Sequence, residues 1–284
     1  MTTTAPSRPR RAVPRQGRGQ RWLVAALAVV GAALLSFPFA AQWQQLWLQQ
    51  SANETMTATV QQITPAERTA ILTKAHQFNE ALSAGVPASD FDYDSLLDPA
   101  GTGVMGRLVI ESIDLDQSIS HGTGDVALSA GLGHLPTSSL PVGGPSTHSI
   151  IGGHRGMATS TGFTWLPNVQ PGDLVMVEVL GDWLAYQVTT LTTLPAEEAG
   201  QPPIRPGEDW LTLVTCDPIG INSHRILVDA VRVPLPAPAV DAVAPASTVP
   251  FPVWAVAFAA VLAGAVLYLW APWRRTTTPT KETV

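Results

Sequence analysis

Thr212-Leu-Val-Thr-Cys216 ends an apolar run on the only cysteine of the 284-residue chain. Residues 217–224 separate Cys216 from Arg225, which opens the next apolar run, Ile226-Leu-Val-Asp-Ala-Val-Arg-Val233. Two β-like runs joined by a Pro/Gly/Asn/Ser loop read as antiparallel neighbours. The end of the first and the start of the second then share one rim, with a thiol beside a guanidinium. Upstream, Ile151-Gly-Gly-His-Arg-Gly156 carries His154 at the end of another short apolar run, between glycines. A cysteine, a histidine and an arginine, each at a strand end, form a candidate nucleophile, base and oxyanion stabiliser.

Around this centre the chain has β character. Short runs at 105–112, 117–120, 148–152, 174–179, 183–191, 210–216 and 225–233 are broken by Gly, Pro, Ser and Asp. They predict a mainly-β domain over 104–235, a barrel or sandwich of seven or eight strands. Residues 86–103 read as a loop. Before it, Ile63, Ala66, Ala70, Ile71, Ala75, Phe78 and Leu82 recur at helical spacing, and Thr64-Pro65 fits an N-cap followed by a first-turn proline. Residues 42–103 are therefore a helical stalk and loop, the helix lying against the domain.

Two uncharged stretches, 22–41 and 251–270, are each long enough to cross a bilayer. Six arginines (8, 10, 11, 15, 18 and 21) precede the first; Arg274, Arg275 and Lys281 follow the second. The positive-inside rule then makes 1–21 and 271–284 cytoplasmic tails and puts the intervening part outside the cell. A cleavable signal peptide is the competing reading of the first stretch, because Phe37-Pro-Phe-Ala-Ala41 ends in small residues. Residues 236–250 are a proline-rich linker. The segment 22–273 holds 7 of the 16 basic and 21 of the 22 acidic residues, which argues against nucleic acid as a partner.

Each chemical residue also has an ordinary reading. A lone exterior cysteine is either a buried small hydrophobe or a reactive thiol. His154 is either a hydrogen-bonded loop histidine or the base. Arg225 is either a surface arginine or the oxyanion group, with Arg155 its competitor. Asp217 is a candidate to orient a histidine. His121, His134 and His148 fit hydrogen-bonding roles, and His224 should point away from the Arg225 side. No CxxC or clustered His/Cys spacing points to a metal, and no cofactor is expected.

With Gly-His-Arg-Gly at 153–156 and Asn222-Ser-His-Arg-Ile-Leu-Val228, the Thr-Leu-Val-Thr-Cys stretch resembles the sortase transpeptidases of Gram-positive bacteria. Gly133-His-Leu135, Ser139-Leu-Pro-Val-Gly-Gly144, Leu184-Ala-Tyr-Gln-Val188 and the second apolar stretch resemble class C, the pilin-polymerising subgroup. The resemblance implies an eight-stranded barrel. It implies that Cys216 attacks the Thr–Gly bond of an LPxTG-type signal, with His154 as acid and base and Arg225 on the oxyanion. Thr215 would help shape the substrate site. A lysine amine of a pilin would resolve the thioacyl-enzyme. A cell-wall peptide amine, as in surface-protein anchoring, is the alternative acceptor, and a non-catalytic membrane-anchored binding module is the alternative function. Class C enzymes often carry an Asp-Pro-aromatic lid motif. Here Asp98-Pro99-Ala100 lacks the aromatic, so either no working lid or an atypical one is expected.

Overall fold

The computed structural model describes residues 18–156, 162–236 and 251–271. Most of both predicted cytoplasmic tails and all but the first residue of the predicted linker lie outside the described residues. The chain divides into two compact units, Met1–Ala40 with Phe251–Val284, and Ala41–Pro250.

The helix α1 (Arg18–Gln62) takes in the first apolar stretch and continues without a break through Gln62. Arg18 to Arg21, the end of the expected cytoplasmic tail, are thus helical. Helix conformation satisfies the backbone from within, which is what an apolar surrounding demands. The second apolar stretch forms the C-terminal helix (Val253–Trp270). Both stretches are long and apolar enough to cross a membrane. Within this unit the Arg21 guanidinium lies 4.8 Å from the Tyr268 ring centre and donates to the Tyr268 carbonyl.

In the second unit, α2 (Pro65–Ser83) starts where Thr64 caps it. The Glu67 amide donates to Thr64 Oγ1, and the Thr64 amide donates to Glu67 Oε2 at 2.8 Å. This reciprocal cap is worth about 1 kcal/mol and fixes the turn out of α1. Ala75, Phe78 and Asn79 of α2 are buried. Asn79 exchanges two bonds with the Leu140 backbone, 3.0 and 2.7 Å, pinning the helix to the barrel as expected.

The barrel has eight strands: β1 (Val104–Ile110), β2 (Leu115–His121), β3 (Leu132–His134), β4 (Thr147–Gly153), β5 (Leu174–Val179), β6 (Asp182–Pro195), β7 (Asp209–Asp217) and β8 (His224–Val233). They close in the order β1-β2-β3-β4-β7-β8-β6-β5. All seven expected strands are present. The eighth, β3, runs parallel to β2 and is reached through a short helix, α3 (Asp125–Ala130). Gly133 is required there, because a Cβ would stand 2.2 Å from the Gly122 carbonyl oxygen.

The strand β7 positions the site. It pairs in parallel with β4, from Thr147↔Asp209 to Gly152↔Val214, and antiparallel with β8, where Cys216 faces Arg225. The ends of β4 and β7 and the start of β8 therefore meet at one rim. Alternation splits their residues between two faces. Ile151, Leu211, Leu213, Ile226, Val228 and Ala230 are buried in the core. Gly152, Val214, Cys216, Arg225 and Leu227 face outward into a groove.

Candidate active site

That groove is a cavity of about 400 Å³ on the outer face of β4, β7 and β8. Cys216, His154, Arg225 and Thr215 all line it, so the structure gathers every sequence-predicted site residue. Ile150, Val214 and Leu227 form an apolar floor. Leu128 of α3 and Leu135 form one wall, and residues 199–202 the other.

Cys216 is a free, half-buried thiol. Arg225 is its cross-strand partner. The guanidinium is restrained by its own turn: Nη1 donates to the carbonyls of Asn222 (2.9 Å) and His224 (3.0 Å). It makes no salt bridge among the described residues, so no carboxylate competes for its fork. Arg155, its sequence competitor, is committed elsewhere: it pairs with Asp217. Asp217 thus binds an arginine and does not orient a histidine. His224 lies opposite Asp217 in the ladder, but its Nδ1 is bonded to Ser223 Oγ.

His154 follows the last residue of β4. Its carbonyl accepts from the Phe163 amide at 2.8 Å. Gly153 leaves room for the Phe163 ring, which a Cβ would meet at 2.7 Å. Thr215 contributes through the strand: its hydroxyl donates to the Gly153 carbonyl at 2.7 Å, tying β7 to the residue before His154. In this geometry the hydroxyl proton is directed at the strand.

His121, His134 and His148 bear out their hydrogen-bonding reading. His148 Nδ1 lies 3.0 Å from the Pro203 carbonyl and Nε2 2.7 Å from Thr212 Oγ1, which in turn is 2.6 Å from Asp229 Oδ1. This chain anchors the 199–203 wall to the first residue of the Thr-Leu-Val-Thr-Cys stretch, and burial holds the His148 imidazole below its ordinary pKa. His134 bonds the Ser139 carbonyl through Nε2 and the Tyr93 hydroxyl through Nδ1. His121 bonds the carbonyls of Leu96 and Gly103. Through Tyr93 and His121 the 86–103 loop is fastened to the barrel, with Phe91 stacked edge-on to Phe78 of α2. None of its residues lines the cavity. The walls supplied by α3 and by 199–202 were not foreseen. Ala199-Gly-Gln-Pro202 carries no chemical signal, and only the fold brings it there.

A family model described as a sortase domain matches residues 108–233. Comparison with curated proteins gives no match. Among solved structures, sortase C1 from Streptococcus agalactiae is 35% identical with a TM-score of 0.61, the match covering 63% of this chain and 96% of that one. Clostridium perfringens sortase C, solved with the C-terminal cell wall sorting motif, is 31% identical with a TM-score of 0.58, covering 65% and 99%. A lid mutant of sortase A from Corynebacterium diphtheriae is 36% identical with a TM-score of 0.58, covering 63% and 100%. The chain belongs to the sortase family. It is a cysteine transpeptidase whose structural neighbours include class C enzymes.

Proposed function

We propose that this sortase cleaves an LPxTG-type sorting signal between Thr and Gly and joins the new carboxyl end to a lysine amine of a pilin subunit. The observation that carries the proposal is one cavity lined by Cys216, His154 and Arg225 over an apolar floor. The floor of Ile150, Val214 and Leu227 suits the Leu-Pro part of such a signal.

In this mechanism the Cys216 thiol gives its proton to His154, its Sγ attacks the threonine carbonyl carbon, and the carbonyl oxygen takes the negative charge. The Arg225 fork donates hydrogen bonds to that oxyanion. His154 gives a proton to the glycine nitrogen as the C–N bond breaks, leaving a thioester on Cys216. An incoming amine loses a proton to His154, attacks the thioester and releases the thiol, so acid and base are the same imidazole in successive steps. Thr215 serves by holding the strand end against Gly153.

Residues 22–41 and 251–270 anchor the enzyme as two spans. The arginine-rich ends face the cytoplasm and the barrel lies outside. Two anchors would keep the cavity near the membrane, where anchored substrates can reach it.

The test is product analysis with the full chain in detergent micelles. An LPxTG-type peptide is supplied with a lysine-bearing pilin domain, with a cell-wall peptide amine, or with neither. An isopeptide-linked pilin product is expected. Exclusive transfer to the cell-wall amine would instead make this an anchoring enzyme, and hydrolysis alone would make it a peptidase.

A further inference from the structure

Two contacts bracket Cys216 and His154 along the seam between β4 and β7. Before them, Thr215 donates to the Gly153 carbonyl. After them, the Arg155 guanidinium pairs with Asp217. Both contacts join residues 62 positions apart. That is the offset of the parallel ladder, whose last pair is Gly152↔Val214. The ion pair thus carries the register of the two strands past the end of the ladder, across the place where His154 comes level with Cys216. Beyond it the seam closes again, because Ile219 packs over Gly156 so tightly that a Cβ would meet it at 2.5 Å.

We infer that the Arg155–Asp217 pair is a positioning device for the reaction, fixing the distance between His154 and Cys216. The inference rests on the reading of those two residues as the reacting groups. Backbone hydrogen bonds hold β4 against β7 only as far as the ladder goes, and His154 stands beyond its end. A proton transfer from His154 to a leaving amine on Cys216 needs the imidazole within hydrogen-bond reach. The pair supplies the missing tie. Its side chains are only 18% and 31% exposed, so the tie is shielded from water. It also removes two charges that would act against the site. Asp217 follows the thiol and Arg155 follows the imidazole; left single, the carboxylate would oppose a thiolate and the guanidinium an imidazolium.

The experiment is a double-mutant cycle on the full chain in detergent micelles, with Arg155→Ala, Asp217→Ala and the double variant. Asp217→Asn is added as a shape-preserving change. The probe is a fluorophore–quencher LPxTG-type peptide, read as acylation rate and KM, with thermal melting alongside. Each single variant is expected to acylate about 10- to 100-fold more slowly at unchanged KM and unchanged melting temperature. The double variant is expected to be no slower than the worse single one. No adduct on the wild type would overturn the catalytic reading and this inference with it. A wild type that acylates, beside single variants acylating as fast, would overturn the pair's role alone. So would losses that add in the double variant or that follow a fall in melting temperature.

Discussion

Replacing Thr215 by valine separates two roles for this hydroxyl. Valine keeps the shape of the side chain but cannot donate to the Gly153 carbonyl, now bonded at 2.7 Å in a position 2% exposed. Losing one buried hydrogen bond while leaving its acceptor in place costs about 1–2 kcal/mol. For a domain of this size that lowers the melting temperature by about 3–6 °C. Gly153 precedes His154, so slack at this bond displaces the imidazole, and acylation should fall about tenfold at unchanged KM. Thr215→Ser, which restores the donor, should recover most of both losses. The assay is thermal melting by near-ultraviolet circular dichroism, with acylation kinetics on the same full-chain preparation in detergent. A valine variant with unchanged melting temperature and a raised KM would refute the reasoning, because the hydroxyl would then be meeting substrate and not the neighbouring strand.

Two further outcomes are expected. Arg225→Lys keeps the charge but loses the planar fork held by Asn222 and His224; acylation should fall at least about 100-fold with the melting temperature unchanged, and a fully active variant would remove the oxyanion role. Burial holds the fully enclosed His134 imidazole at about 4, against about 6.5 when exposed. Between those values the unfolded chain binds a proton that the folded chain does not, so this contribution is complete above about pH 6.5 and falls away as the pH drops towards 4. The gap is worth about 3 kcal/mol, so His134→Gln should show a shallower loss of melting temperature from pH 7 to pH 4 than the wild type. Equal slopes would contradict it.

Much of the site is legible in the sequence because β7 and β8 are neighbours along the chain. Cys216 and Arg225 flank one loop, and antiparallel pairing makes them face each other. His154 is different. Nothing local says that β4 pairs with β7 in parallel, since the chain builds β5 and β6 between them. The Arg155–Asp217 contact follows only from that pairing, which is why Asp217 reads in sequence as a partner for a histidine. The strand β3 escapes notice for another reason: Leu132-Gly-His134 is too short to display alternation, and two glycines border its leucine. The first apolar stretch alone does not show how far its helix runs. Residues 42–62 turn polar where the apolar stretch ends, but helical propensity does not end with hydrophobicity, and α1 runs on until the chain turns at Thr64.

The central claim is that Cys216 forms the covalent intermediate in a cavity shared with His154 and Arg225. The most direct measurement is the intact mass of the full chain in detergent micelles after exposure to an LPxTG-type peptide, with Cys216→Ala beside it. The account predicts a gain equal to the peptide's fragment up to threonine, on the wild type and not on the variant. A folded, reduced wild-type protein that gains no mass, or an alanine variant that gains the same mass, would contradict it.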